Sequence, residues 1–362
     1  MAWDRTPLAE RLGIRYPIVG APMSGSTTPA LVAAVSEAGG LGSLGSARSS
    51  PDEMRAEIAE VRRLTDRPFA VNLFAPLRPG ELDPAAVEAV TAAAAPHRRA
   101  LGLDEDPPPP TPREPSFTFD DQLTVVVEER VPVFSFTFGI PTGLDRVREA
   151  GATVMGTATT IREAQALERA GVDAVVAQGY EAGGHRGTFE ADPDRSLVGL
   201  MALVPQAVAA VSVPVVAAGA IMNGAGIVAA LALGAQAAQL GTAFLGCPES
   251  AAPEPHKRAL AITPDDGTLV TRALTGRHAR AIRTPLAADL HALGDAVAPF
   301  ETQRQLVGDV YAEARRRGDG DRLAMLTGQA SSLARGLPAG ELMAALVAEA
   351  GAAAAALADD PA

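Results

Sequence analysis

Cysteine and lysine are almost missing from this 362-residue chain, each occurring once, at Cys247 and at Lys257. A single thiol excludes an intramolecular disulfide and fits a reducing cytoplasm. With no second cysteine and no adjacent histidine, Cys247 reads as inert packing or a loop residue. The remaining basic residues are arginines in helix-like patterns, and the net charge is −12. No basic stripe is available to neutralise phosphates, which argues against nucleic acid and anionic membranes as partners. No uninterrupted apolar run reaches membrane-spanning length, and Met1 to Arg11 lacks the charged-then-apolar order of a signal peptide. The expectation is a soluble, cytoplasmic protein. With 47% hydrophobic residues it can bury one large core or two smaller ones.

What is present is alternation. Short apolar runs read as strands at Ile18 to Met23, Leu41 to Ala47, Phe69 to Phe74, Val131 to Thr137, Ala152 to Thr157, Ala174 to Gln178, Val213 to Ala218 and Ala237 to Gly241. Helical spacing separates many of them, at Pro29 to Ala38, Asp52 to Leu64, Thr159 to Ala170, Leu197 to Val211 and Gly224 to Leu233. Strands that feed helices predict parallel pairing with right-handed crossovers. Eight such units predict an α/β fold of the (β/α)8 TIM-barrel type, with an open doubly wound sheet as the alternative. Pro96 to Gln122, with its run Pro107 to Pro110, reads as an extended surface excursion. Beyond Pro248 the pattern turns helical, with Pro299 to Arg316 and Asp319 to Leu333 among the helices and an alanine-rich one over Leu342 to Leu357. Residues 1–248 are therefore expected to form the barrel and 249–362 a helical region packing over its mouth.

The chemistry gathers at strand ends. The sixth strand runs into Gly179-Tyr180-Glu181-Ala182-Gly183-Gly184-His185-Arg186-Gly187, a loop whose glycines let backbone amides approach an anion. His185 supplies a group that exchanges protons near neutral pH. Taken alone, this also fits a structural βα loop whose histidine caps a helix. In a barrel, however, Pro22-Met23, Asn72, Ser135, Gln178, Gly219 and Gln239 to Thr242 converge on one rim. Gly183, Gly219 and Gly241-Thr242 could then hold a phosphate near the last two strands. Asn72 and Gln178 suit the polar edge of a heterocycle such as a flavin.

In their order along the chain these segments resemble the class I nitronate monooxygenases, formerly called 2-nitropropane dioxygenases. The matching pieces are APM (21–23), LVAAVSEAGGLG (31–42), FAVNLF (69–74), VFSFTFGIP (133–141), QGYEAGGHRG (178–187), PVVAAGA (214–220) and QLGTAFL (239–245). Glu249-Ser250 with Lys257, TGRHAR (275–280) and GQA (328–330) continue the match. The resemblance implies an FMN-dependent oxidoreductase that uses O2 to convert nitronates or nitroalkanes to a carbonyl compound and nitrite. It places FMN contacts at Pro22, Met23, Asn72, Gln178, Gly183, Gly219, Gln239, Leu240, Gly241 and Thr242, and the catalytic base at His185. An apolar pocket would keep that imidazole neutral. The partners are a small nitro compound and O2, no metal is expected, and a homodimer is left open. His97, His256, His278 and His291 read as surface or structural.

Four positions depart from the family pattern: Thr137 stands where a histidine is frequent, Ala220 for a glycine, Asn223 for an acidic residue and Phe300 for a tyrosine. The alternative is an FMN-dependent enoyl-acyl carrier protein reductase, or another NAD(P)H-dependent flavin reductase of the same fold. Gln178, where those reductases tend to carry glutamate, leans toward the monooxygenases. A third reading, motivated by Thr137 and Phe300, is a flavin-binding protein without turnover.

Overall fold

In the computed structural model, which describes residues 3–77, 80–108 and 116–358, the eight apolar runs become parallel strands of a single sheet. These are β1 (Ile18–Gly20), β2 (Gly42–Gly45), β3 (Phe69–Phe74), β4 (Val133–Thr137), β5 (Thr153–Ala158), β6 (Ala174–Gln178), β8 (Val215–Ala218) and β9 (Ala237–Leu240). They neighbour one another in the order β1-β9-β8-β6-β5-β4-β3-β2. The two ends meet at Leu41, whose N–H donates to Ile18 O at 2.9 Å while Gly20 N–H donates to Leu41 O at 2.8 Å. That closure decides for the (β/α)8 barrel over an open sheet. The bounds of β3 and β6 are those the sequence predicts.

Local chemistry starts the helices where the strands stop. Thr28 caps the helix Pro29–Glu37 by accepting from Leu31 N–H, with proline at the first helical position. Ser50 and Glu53 form a reciprocal capping box on Pro51–Leu64. Helix and strand then approach so closely that a Cβ on Gly42 would lie 2.2 Å from Val32 O, so only glycine fits there.

Side chains alternate along each strand, and the inward set fills the barrel. Val19, Leu41, Ala70, Val133, Met155, Val176, Val216 and Ala237 form one buried cluster with Leu8 and Leu12. The short helix Pro7–Leu12 carries those two leucines and is tied to the strands by Thr6 Oγ1 donating to Gln236 O at 2.7 Å. Continuing the same alternation up β3, β4, β6 and β9 gives Asn72, Ser135, Gln178 and Gln239. The interior is apolar at the bottom and amide- and hydroxyl-lined toward the C-terminal ends.

The structure corrects two expectations outside the barrel. Among the described residues, only the two ends of the supposed excursion are helix: Pro84–Ala100 runs through Pro96, and Phe119–Glu128 begins before Gln122. Pro96 removes one backbone donor, but Val90, Ala94 and Leu101 pack with Leu286, Leu290, Val307 and Val310, and that burial outweighs it. Residues 109–115 lie outside the described residues. The C-terminal region is also not wholly helical. It holds β10 (Thr268–Thr271) and β11 (Ala279–Ile282), and β11 pairs antiparallel with β7 (Gly184–His185) from the glycine-rich loop. Asp319 to Leu333 is 3-10 turns and extended chain, because left-handed Gly318 (φ 68°) ends the helix Thr302–Arg317. The alanine-rich helix, Ala339–Ala358, is long and apolar enough to cross a membrane, yet its Leu342, Met343, Leu346 and Ala350 are buried. It packs on Gly224–Ala232 so tightly that a Cβ on Gly224 would lie 2.1 Å from Ala350 N.

Candidate active site

At the barrel's C-terminal rim the chain exposes backbone donors with nothing to receive them. Gly219 and Ala220 follow β8 with φ of 142° and 51°, a turn that β-carbon sterics normally reserve for glycine. Gly241 and Thr242 follow β9, the neighbouring strand. Among the described residues, none of the four N–H groups has a hydrogen-bond acceptor. A segment of the C-terminal region covers them: Gly328 N–H donates to Thr242 Oγ1 at 2.9 Å, and Gln329 N–H to Glu181 O at 3.0 Å. Gly183 lies directly beneath this segment, where a Cβ would meet Gly328 N at 2.4 Å. From the other side, a Cβ on Gly241 would come within 3.7 Å of Met23 Sδ, while Ala21 N–H donates to Leu240 O at 2.8 Å. The structure thus gathers Met23, Gly183, Gly219 and Gln239 to Thr242 on one arc of the rim, with Pro22 between the Ala21 and Met23 contacts.

Across the mouth, Asn72 is buried and donates to Ser135 Oγ at 2.9 Å. Gln178 is mostly occupied by its own loop. Its Nε2 donates to His185 O at 2.9 Å, and its Oε1 accepts from Gly187 N–H at 2.8 Å and from Arg186 at 3.1 Å. Its first task is to shape the turn that carries His185.

His185 stands in a cage of three aromatic rings. Phe74, Phe138 and Phe300 have centroids 6.2, 5.7 and 5.6 Å from the imidazole, each near perpendicular to it. Phe138 (φ 80°) and Glu301 (φ 72°), the neighbour of Phe300, hold left-handed conformations that cost non-glycine residues energy, and such strain gathers at functional sites. Three guanidinium groups, of Arg48, Arg277 and Arg304, surround the cage, and that of Arg277 lies 4.0 Å from the Phe138 centroid. The Nε atoms of Arg48 and Arg277 are buried without partners. Although some of the ring surface remains accessible, the packed surroundings push the His185 pKa down to about 3. Desolvation is the main cause, followed by the charges of Arg48, Arg277 and Arg304. Among the described residues its one side-chain hydrogen bond is Nε2 to Thr275 Oγ1 at 3.0 Å, and Thr275 in turn donates to Arg277 O at 3.1 Å. The threonine hydroxyl has one proton, already given to Arg277 O, so it accepts from His185 Nε2–H. The neutral imidazole therefore carries its lone pair on Nδ1.

The nitronate monooxygenase family model matches residues 5–349. The chain belongs to this family. Among relatives of the nitronate monooxygenase family, the probable nitronate monooxygenase of Staphylococcus saprophyticus is 41% identical over 336 residues, 92% of this chain and 94% of that protein. One from Staphylococcus aureus is 39% identical, over 95% of this chain and 97% of its own. Among solved structures, the nitroalkane oxidase of Streptomyces ansochromogenes superposes with a TM-score of 0.87 at 41% identity, covering 96% of this chain and 99% of that one. FabK of Thermotoga maritima follows with a TM-score of 0.76 and 32% identity over 98% of both chains. Membership of the nitronate monooxygenase family makes this chain an oxidoreductase.

Sequence reasoning did not single out Arg48, Arg277, Arg304, Thr275, Phe74 or Phe138 for the pocket. Thr275 and Arg277 do lie in the family-like segment TGRHAR, Phe138 in VFSFTFGIP and Phe74 in FAVNLF, so a signal existed for four. Arg48 and Arg304 had none.

Proposed function

We propose that this protein is an FMN-dependent nitronate monooxygenase, which oxidises nitronates, and nitroalkanes after their deprotonation, with O2 to a carbonyl compound and nitrite. The observation that carries the reading is an uncharged imidazole in an aromatic, cation-flanked pocket on the same rim as a row of unpaired backbone donors. The residues fit the cofactor. The N–H groups of Gly219, Ala220, Gly241 and Thr242 offer an anion the acceptor-free edge a phosphate needs. In this reading Gly183, Gly219 and Gln239 to Thr242 hold the phosphate side, while Pro22, Met23, Asn72 and Gln178 border the ring. In the same reading the barrel binds the cofactor, the β10–β11 pair and the segment around Gly328 lie at its mouth, and Ala339–Ala358 packs on its outer helices. Bound FMN supplies the redox chemistry.

The chain's own residues supply binding and proton control. His185, neutral at physiological pH, takes the acidic C–H proton of a nitroalkane on Nδ1 while Thr275 holds Nε2–H. The three guanidinium groups favour the nitronate anion that results, or one that arrives already formed. Phe74, Phe138 and Phe300 exclude water from the reacting carbon.

Purified protein should be yellow and should release nitrite from a nitronate under air. A colourless protein that takes up no added FMN would overturn the proposal, and a flavoprotein releasing no nitrite from any nitro compound would point to binding without turnover. The likeness to FabK keeps a flavin reductase as the second reading. Anaerobic mixing with NADH or NADPH separates the two, since rapid bleaching of the flavin belongs to the reductase.

A further inference from the structure

The loop that presents His185 is gripped by two buried charged side chains that no step above uses. Glu163, on the helix Ile161–Arg169, is fully buried. One carboxylate oxygen accepts three consecutive backbone donors, Phe189 N–H at 2.7 Å, Glu190 N–H at 3.0 Å and Ala191 N–H at 3.3 Å. Its other oxygen accepts Thr159 N–H and Thr159 Oγ1–H, both at 2.7 Å. Thr159 Oγ1 is 2.8 Å from Thr188 Oγ1, three residues past His185. On the near side, Arg186 is 2% exposed and donates to Gly179 O at 2.6 Å, Ser196 O at 2.9 Å and the Gln178 side chain at 3.1 Å.

Burying a carboxylate and a guanidinium is unfavourable unless hydrogen bonds compensate. A connection that only had to turn the chain would need neither. Arg186 spends its hydrogen bonds on residues 178–196, the stretch around His185, and Glu163 spends three of its five there, the other two holding Thr159, whose hydroxyl reaches Thr188. Neither reaches the mouth itself, which leaves loop position as the property they control.

We propose that Glu163, acting with Arg186, is a positioning residue for His185: its carboxylate locks the 188–191 turn, so that the imidazole is held at a fixed height in the aromatic cage. This rests on the role of His185 proposed above. The clamp matters most where a proton must leave carbon, because sub-ångström placement governs that transfer, and least for a nitronate that arrives deprotonated.

The test is Glu163→Gln, which keeps the shape but turns an NH2 toward donors. Hydrogen exchange over residues 185–191 should become about tenfold faster while exchange in the barrel strands is unchanged. Turnover of a neutral nitroalkane should fall by about ten- to a hundredfold with KM little changed, against about threefold or less for the pre-formed nitronate. If Glu163→Gln does not fold, Thr159→Val removes only the hydroxyl link and should move both readouts in the same direction by a smaller factor. Unchanged exchange at 185–191, or equal losses on both substrates, would overturn the proposal. The exchange measurement needs no turnover, so wild-type protein without flavin or nitrite release would sink the proposed function while the clamp is still read independently.

Discussion

Replacing Thr275 by valine removes one oxygen and keeps the branched shape. In the wild type that oxygen accepts His185 Nε2–H at 3.0 Å and donates to Arg277 O at 3.1 Å, so both bonds vanish together. A hydrogen bond of this kind is worth about 1 kcal/mol net, and an orphaned buried partner costs about 1–3 kcal/mol. The imidazole is then free to rotate or to place its proton on Nδ1, the atom argued to accept the substrate proton. Losing about 1.4 kcal/mol of preference for the productive form lowers its population about tenfold. Turnover of a neutral nitroalkane should therefore drop by about that factor, with little change for a pre-formed nitronate, which needs no base. Nitrite release from the two forms of one nitro compound is the assay, and Thr275→Ser, which keeps the hydroxyl, should recover most of the activity. Equal losses on both substrates, or no recovery in the serine variant, would refute the tautomer argument.

His185→Asn should retain flavin colour, lose nearly all turnover of neutral nitroalkanes, and keep most of it on nitronates; nitrite assays on both decide it. Arg277→Met takes away one of the charges that depress His185, so the imidazole pKa rises and the acid limb of the pH–rate profile moves to higher pH; an unmoved limb would count against Arg277 as a neighbour of the base. Gly219→Ala forces a side chain into φ 142°, which costs about 1–3 kcal/mol, and should weaken FMN retention in a fluorescence titration. Buried His256 has its pKa lowered from 6.5 to about 4 by desolvation, so below 6.5 the unfolded chain binds a proton the folded one refuses. Stability therefore falls as pH drops from about 6.5 toward 4, by about 3 kcal/mol at the limit, and His256→Leu should flatten that part of the denaturation profile.

The barrel was legible because each strand is a short apolar run between turn residues, and parallel strands buried on both faces leave that trace. Phe69–Phe74 and Ala174–Gln178 stand out to the residue for this reason. β7 left no trace, since two residues cannot show a period and its pairing with β11 depends on a chain segment about ninety residues away. The helix Pro84–Ala100 was hidden by Pro96, whose local penalty is overridden by packing against a region far along the chain. Asp319 to Leu333 erred the other way, with helical spacing broken by Gly318, Gly320 and Gly328. In the site, single glycines and His185 were readable because a loop sequence carries them. Of the arginine cluster only Arg277, inside TGRHAR, left a trace; nothing marks Arg48 or Arg304 among thirty arginines spread along the chain.

That cluster reconciles an apparent contradiction in the pocket. An imidazole whose pKa is about 3 is a weak base, and a weak base alone would remove a carbon-bound proton slowly. In the proposed reaction the charges of Arg48, Arg277 and Arg304 that contribute to the weakness act with opposite sign on the product, because a nitronate formed among them is an anion. For a neutral nitroalkane the two effects partly cancel, as the same field that disfavours imidazolium favours its partner. A pre-formed nitronate receives the attraction without the opposing term. Cations around an uncharged base thus make a site that tolerates deprotonation chemistry but gains most from a substrate already deprotonated. The residues that set this preference lie after β2 (Arg48), between β10 and β11 (Arg277) and on the helix Thr302–Arg317 (Arg304), not in the glycine-rich motif that first draws attention.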